Sequence, residues 1–466
     1  MSGLSDALNL GKTSLSTHQT LIDVTGNNIA NVNTDGYSRQ NVDLSTVPAL
    51  NFRGFQIGRG VTASNIQRAE DTFLSRQILD KNAALGEQSA QATPLAELET
   101  IFNLGDGNLT SKIDQFFDSW EQLSVTPDGT VERDTVLQYG TLLTDSFHNI
   151  SQDLADLSQQ VDDALTSKIG DINQKLQQIV EYNERIATVE STGISDNASR
   201  DARDSLLQDL SYSLGIQYYE NQDGRVNVQL STGLPLVSDK QAFSLEAIPT
   251  TSGSKLQLDL GTATRVVDNQ SLNGEFKGLV SLRDEFLPKV RDDLDKLAYS
   301  LATEVNALHA GGTGLDGSTG KAFFSTAPSS DPSASPWSGA SASIEVALTD
   351  GNQLAAGQSA ASGDNRNALL MAALGSSEVI DGTDSFGSFY GKMTSYIGIE
   401  SSQNQLSVSG LEDSMVQLEN LLDAKVGVSL EEEMINLIQY QRGFEASAKL
   451  LTTVDEMMDT VLSIKR

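Results

Sequence analysis

At 466 residues the chain is long enough for several domains of roughly 100–200 residues each. A net charge of −32 opposes binding to nucleic acid or to an anionic membrane, and the absence of cysteine excludes disulfides and thiolate metal sites. With 38% hydrophobic and only 6% aromatic residues, the composition suits elongated helical packing better than one large globular core.

Residues 2–32 read as an amphipathic helix with very little charge. Leu4, Leu8, Leu15, Ile22 and Ile29 share one stripe, interleaved with Gly11, His18 and Thr25 at heptad spacing. Few Lys or Glu residues flank the stripe, which suits close packing among partners better than permanent exposure. The pattern stops at Asn33-Thr34-Asp35-Gly36, where Asn, Asp and Gly tolerate turns and left-handed backbone. The N-terminus lacks a basic segment followed by a continuous apolar core, so a cleaved signal peptide is not expected. No apolar run approaches the roughly 20 residues of a membrane span.

From Tyr37 to about Ile66 apolar residues alternate among glycines and Pro48, as in extended structure and loops. Helical periodicity returns over Ala69 to Phe102, and a turn is expected at Gly105-Asp106-Gly107. A short helix carries Ile113, Phe116, Phe117 and Trp120, and Thr126-Pro127-Asp128-Gly129 is another turn. Between Val131 and Val189 the rhythm hardly breaks. Leu143, Phe147, Ile150, Leu154, Leu157 and Val161 alternate by four and three, with a stutter at Leu165 and Ile169. This predicts either one rod about 85–90 Å long at roughly 1.5 Å per residue or two helices broken near Gly170.

A helix is expected over Arg200 to Leu214. The period then drops to two in residues 215–275, with a hairpin turn at Asn221-Gln222-Asp223-Gly224, which predicts a small β insert. Helical rhythm resumes at Leu287. Residues 311–363 are rich in Gly, Ser, Ala and Thr, and Pro328, Pro332 and Pro336 argue against long regular elements. Gly312 to Gly317 matches G-x-G-x-x-G in form, but it follows a helix and opens none, so a dinucleotide site is not read from it. Helices are predicted again over Asn365–Leu374 and from Phe386 to Ala424. The last begins at Ser429, with Glu432 at capping-box spacing, and carries a second seam of Leu430, Met434, Leu437, Phe444, Leu451, Met458 and Leu462. Lys465-Arg466 would suit the negative end of its dipole.

Catalytic chemistry is scarce. His18, His148 and His309 are far apart, no metalloprotease or nucleophile-elbow motif is present, and the 63 acidic residues are dispersed. No enzymatic activity, cofactor or metal is expected.

Two short stretches resemble a known group. Asn27-Asn28-Ile29-Ala30-Asn31 with Asn33-Thr34-Asp35-Gly36-Tyr37 is similar to the N-terminal signature of the bacterial flagellar axial proteins of rod, hook and hook-filament junction, and Tyr440 to Lys449 resembles the matching C-terminal signature. The Gly314 to Phe324 loop, the run from Ile344 to Leu369, and Leu451 to Met457 resemble the hook-associated members of that family.

The resemblance implies a mainly α, elongated, multi-domain protein with paired terminal coiled-coil helices. Its expected units are 1–32 with 428–466, a helical bundle of 33–214 with 276–427, and the β insert 215–275. It further implies a ring of subunits joining hook to filament, in contact with the hook protein and the third hook-associated protein. Export would use the flagellar type III channel, with a chaperone holding the C-terminal helix. Asn28, Asn31, Asn33, Thr34, Gly36 and Tyr37 would form the hinge between an axial core that orders on assembly and a body that folds alone. Alternatives are a hook or distal rod protein, or a secreted helical adhesin-like scaffold.

Overall fold

A computed structural model describes residues 2–52, 55–102, 108–250, 253–261, 263–327 and 334–464. The expected Gly105-Asp106-Gly107 turn, Pro328, Pro332 and Lys465-Arg466 lie outside them. Helix α1 (Ser2–Ala30) leads into four strands, β1 (Gln40–Thr46), β2 (Leu50–Phe52), β3 (Phe55–Ile57) and β4 (Val61–Arg68). Strands β1 and β4 pair antiparallel, as do β2 and β3. Asp71 caps α2 (Thr72–Ile101) by accepting from the amides of Phe73 and Leu74, and Asn108 caps α3 (Leu109–Val125) through Ser111.

Helix α4 (Thr130–Glu190) is one unbroken element of 61 residues, about 90 Å long. Its expected 4-3 stripe, Leu143 through Ile179, is buried throughout, and Gly170 sits on the solvent side without breaking the rod. Helix α5 (Asn197–Leu214) returns alongside, stopped by Gly215 at a positive φ of 61°. The β-rich segment forms two antiparallel sheets. One has the order β5 (Ile216–Glu220), β6 (Val226–Leu230), β7 (Pro235–Ser238), β8 (Gln241–Ala242), and the other is β9 (Ser244–Thr250), β10 (Gly253–Asp259), β11 (Thr264–Val266) with β10 central. Both lie along α4, and Val226, Val228, Leu230, Leu245 and Leu258 join the same contiguous core as the helices.

Helix α6 (Gly274–Ser281) runs through a π turn at Leu282–Phe286 into α7 (Leu287–Ala310). The structure therefore starts this helix earlier than the periodicity did. Its first turns approach α2 too closely for a side chain at Gly278, where a Cβ would fall 2.2 Å from the Glu87 carbonyl oxygen. Phe276, Leu279 and Val280 are the large buried side chains of α6, and its eight residues give too few turns to establish a period. In the loop region, β12 (Phe324–Ser325) pairs with β13 (Glu345–Val346), and α8 (Ala340–Ser343) sits between them in sequence. Helices α9 (Arg366–Leu374), α10 (Phe386–Val426) and α11 (Leu430–Ile464) complete the chain. Helix α10 runs antiparallel to α2, from Tyr390 donating to the Phe102 carbonyl to Lys425 paired with Asp71.

The densest part of the core is aromatic. Phe116 meets Phe117, Trp120, Phe323 and Phe324 at 5.2–6.4 Å between ring centres, and Phe117 stacks on Phe386. His309 closes this cluster as a structural group: its Nδ1–H donates to the Lys321 carbonyl and its Nε2 accepts from the Ala355 amide. Burial holds its pKa below the usual histidine value, which keeps the neutral tautomer those two bonds require.

Three helix asparagines are tied to strand edges in the same manner. Asn173 of α4 pairs with both the N–H and the C=O of Leu245, Asn183 with both groups of Val226, and Asn306 of α7 with both groups of Phe324.

Gly278→Ala is expected to force α2 and α6 apart and cost about 1–3 kcal/mol. Gly170→Ala, with open space around its Cβ, should instead gain about 1 kcal/mol from helix propensity. Urea unfolding midpoints of the two variants should move in opposite directions.

Candidate functional site

The terminal helices α1 and α11 lie antiparallel within one chain. Gly11 faces Leu450 and Leu451, the Ser14 and Ser447 hydroxyls are 2.8 Å apart, His18 covers Gly443, and Asn28 meets Glu433. Small residues at these crossings let the helices touch. A Cβ on Gly443 would lie 2.4 Å from the His18 ring, and one on Gly11 would lie 2.8 Å from Leu451.

The expected stripe of α1 sits only partly in this contact. Leu4, Leu8, Leu15, Ile22 and Ile29 are half-buried, whereas Gly11, Thr17, Leu21, Val24, Thr25 and Asn28 are buried. The shift has a physical cause. Helix α1 packs against the β1/β4 hairpin as well as α11, with Thr17 donating to the Val61 carbonyl at 3.0 Å. A single-partner heptad places the stripe too far from that second neighbour.

On α11 the buried or half-buried series is Glu433, Leu437, Tyr440, Phe444, Ser447, Leu451, Val454 and Met458. Leu437, Phe444, Leu451 and Met458 thus meet α1 as expected. Leu430, Met434 and Leu462 do not, at 45%, 56% and 57% exposure. The place expected for Met434 belongs to its neighbour Glu433, which is 2% exposed. A reading by hydrophobicity passes over a carboxylate, and only the cation opposite it explains its burial.

That cation is Arg39. Its Nη2 lies 2.7 Å from Glu433 Oε1 and its Nη1 lies 3.0 Å from Glu432 Oε2. Its backbone is fixed too, since the amide donates to the Val426 carbonyl and the carbonyl accepts from the Ala69 amide. Asn28 completes the joint with all four of its hydrogen-bonding positions in use. Its Oδ1 accepts from the Tyr37 hydroxyl at 2.8 Å and the Gln40 amide at 3.0 Å, while its Nδ2 donates to the Gln40 carbonyl at 2.9 Å and Glu433 Oε2 at 3.3 Å.

Residues 31–37 wind around this joint. The Asn31 side chain donates to the Asn27 carbonyl, Thr34 donates to Asn31 Oδ1, and Gly36 takes a φ of 74° that favours glycine. Asn33 is exposed. Ser38 donates its amide to Asp201 of α5, and the same carboxylate pairs with Arg68 at 2.8 Å. The structure therefore brings Asn28, Asn31, Thr34, Gly36 and Tyr37 together, and adds Arg39, Gln40 and Glu433, which the sequence pattern did not single out. A polar cleft of ≈ 790 Å³ lies between this joint, the start of α2, α5 and the end of α10.

Burial first, then the negative charges of Asp201 and Glu433, push the Tyr37 phenol up to about 12. Among the described residues no three His, Cys, Asp or Glu side chains gather as metal ligands would, and no helix is long and apolar enough to cross a membrane. What the site offers is a joint between helices, made of hydrogen bonds and one buried ion pair.

Comparison with known proteins points the same way. Residues 95–324 match the family model described as the flagellar hook-associated protein FlgK helical domain. Residues 8–37 match the flagella basal body rod protein model, and 424–464 match the flagellar basal body rod FlgEFG protein C-terminal model. The chain is 27% identical to flagellar hook-associated protein 1 of Bacillus subtilis, covering 98% of this chain and 97% of that one. It is 25% identical to the protein of the same name from Salmonella typhimurium, covering 99% and 100%. Among solved structures, the flagellar hook junction protein FlgK from Burkholderia pseudomallei shares the fold, with a TM-score of 0.68 at 18% identity over 76% of this chain and all of that one.

Tyr37 keeps its proton to about 12 when folded, whereas the free phenol loses it near 10.0. Its stabilisation is therefore complete below the lower value and is lost as pH rises through the upper one. Tyr37→Phe should cost about 1 kcal/mol at neutral pH, and this difference from the unsubstituted chain should vanish across that alkaline window in denaturant titrations followed by circular dichroism.

Proposed function

We propose that the chain belongs to the flagellar hook-associated protein 1 family and works as a structural subunit of the bacterial flagellum at the junction of hook and filament. Three matched segments, spread from one end to the other, span well over half of its length. The protein is part of an extracellular appendage and associates with other axial components. The observation that carries the role is the antiparallel pair of terminal helices, closed at its base by Asn28, Arg39 and Glu433.

In finer detail, copies of the chain form a ring that contacts the hook protein on one side and the third hook-associated protein on the other. The terminal unit, 1–32 with 428–466, is the axial core. The helical body, 33–214 with 276–427, and the β insert, 215–275, stand outside it. The exposed Met434, Ile435, Ile438, Leu450, Met457 and Val461 of α11 support this division, because such a row of apolar side chains gains by being covered. Before assembly the same face suits an export chaperone, and the chain leaves through the flagellar type III channel. The half-buried Leu4, Leu8, Leu15, Ile22 and Ile29 are placed to serve as assembly contacts beside it. Full order of the two helices then comes with assembly, and the hinge residues 28–37 carry the joint. No catalytic step, cofactor or metal enters this reading.

The 65% helical content disfavours a hook protein with a β-rich middle. Relatives matched over nearly their whole length leave little room for an unrelated adhesin-like scaffold.

In the source bacterium, loss of the chain should leave hooks without filaments and release filament subunits into the medium. Gly443→Val should fail to restore filaments while the melting of the body is unchanged. Normal filaments in the deletion strain would reject the proposal. Amide exchange in α1 and α11 should slow sharply from free chain to assembled junction; strong protection in the free chain would remove the assembly-linked ordering.

A further inference from the structure

We infer that Glu433 is the residue that sets the register of the α1–α11 pair. Most of the seam is permissive. Leu437, Tyr440, Phe444, Ser447, Leu451, Val454 and Met458 recur at alternating steps of four and three, facing Gly11, Ser14 and other small or apolar positions of α1. A slip of one turn would bring Phe444 or Leu451 to the place of Ser447 and Asp455 to that of Met458 or Leu451, both only half-buried. Packing resists a slip chiefly at Gly443, where Tyr440 or Ser447 would take its place against the His18 ring; the apolar remainder of the seam distinguishes these registers weakly.

Glu433 is different. In the observed register its two oxygens meet Arg39 Nη2 at 2.7 Å and Asn28 Nδ2 at 3.3 Å. One turn further along α1 it would face the buried Val24 and Thr25, and one turn back it would pass the end of the helix. Arg39 cannot follow, because its amide and carbonyl are held by Val426 and Ala69. A buried carboxylate parted from its cation is strongly unfavourable, and a buried polar group that fixes helix register is the best-attested use of such a cost. Glu432 shares Arg39 but is 63% exposed, so its charge stays hydrated in any register. The competing determinant is the short link of residues 427–429 between α10 and α11. The inference concerns helices within one chain and stands apart from the hook-filament reading.

The chain has no cysteine, so introduced pairs report without background. In the full-length purified chain the terminal helices pair transiently, and disulfide trapping reads the register they sample: Ser14→Cys with Ser447→Cys traps the observed register under a mild thiol oxidant, and Ser14→Cys with Phe444→Cys or Leu451→Cys traps one-turn slips. The Ser447 pair should dominate in the otherwise unchanged chain. With Glu433→Leu, and likewise with Arg39→Gln, the ratio of native to slipped product should fall about tenfold or more, while Glu432→Leu leaves it unchanged. An unchanged ratio in Glu433→Leu would assign register to the link or the packing and overturn the inference. So would loss of every cross-link in that background, which would make Glu433 a source of affinity rather than register, or a native pair that fails to dominate at the start.

Discussion

One hydrogen-bonding device recurs at four places where a helix of this protein meets a strand. Asn28, Asn173, Asn183 and Asn306 each present a side-chain amide to a single strand residue and bond both its N–H and its C=O. A carboxamide carries the same donor and acceptor as a peptide group, so it can stand in for a missing neighbouring strand. The partners Gln40, Leu245, Val226 and Phe324 all have a strand on one side only at that point. Left unpaired and buried, each such backbone group would cost about 1–3 kcal/mol. The small sheets can therefore lie against long helices without exposing or wasting their edges. At Asn28 the device also bonds Glu433, so the docking of a hairpin and of a terminal helix become one event.

Buried arginines fasten the remaining joints of a chain whose surface is strongly acidic. Arg203 bonds Asn183, the Gly224 carbonyl and Glu220, tying α5, α4 and the first sheet together. Arg283, in the π turn, reaches Asp162 of α4 and the Ser254 carbonyl of β10. Arg133 meets only carbonyl oxygens, of Pro127, Gly351 and Leu354. The two environments shift these cations in opposite directions. Burial lowers the pKa of Arg133, whose contacts are neutral; at Arg283 burial is outweighed by Asp284 and Asp162, and the value rises. Arg39 likewise faces carboxylates, on the first turn of α11.

Close approach of helices is the third constraint, and it falls to residues without side chains. Gly86 and Gly278 let α2 touch α5 and α6 through backbone, and Gly11 and Gly443 make room for the Leu451 and His18 side chains of the facing terminal helix. These positions carry no hydrophobic signal, which is why the true seam of α1 was hard to read. The stripe of the 61-residue α4 was legible, because it repeats over many turns against one core, but its continuity past Gly170 was left between one rod and two helices. The hinge was legible as turn chemistry in Asn31, Thr34 and Gly36, but not as a lock, since Arg39 and Glu433 are nearly 400 residues apart in sequence.

The amino-acid order by itself determined the long helices, the hairpin at residues 221–224, the stop after α1 and the two terminal signatures, because periodicity, capping and turn preference act within a few residues. Tertiary structure decided which face of α1 is buried, that Glu433 rather than Met434 lies in the seam, and that four asparagines complete the strand edges. Those outcomes depend on two partners meeting at one place. A charge or an amide is buried only when its complement arrives from a distant part of the chain, and no local pattern records that arrival.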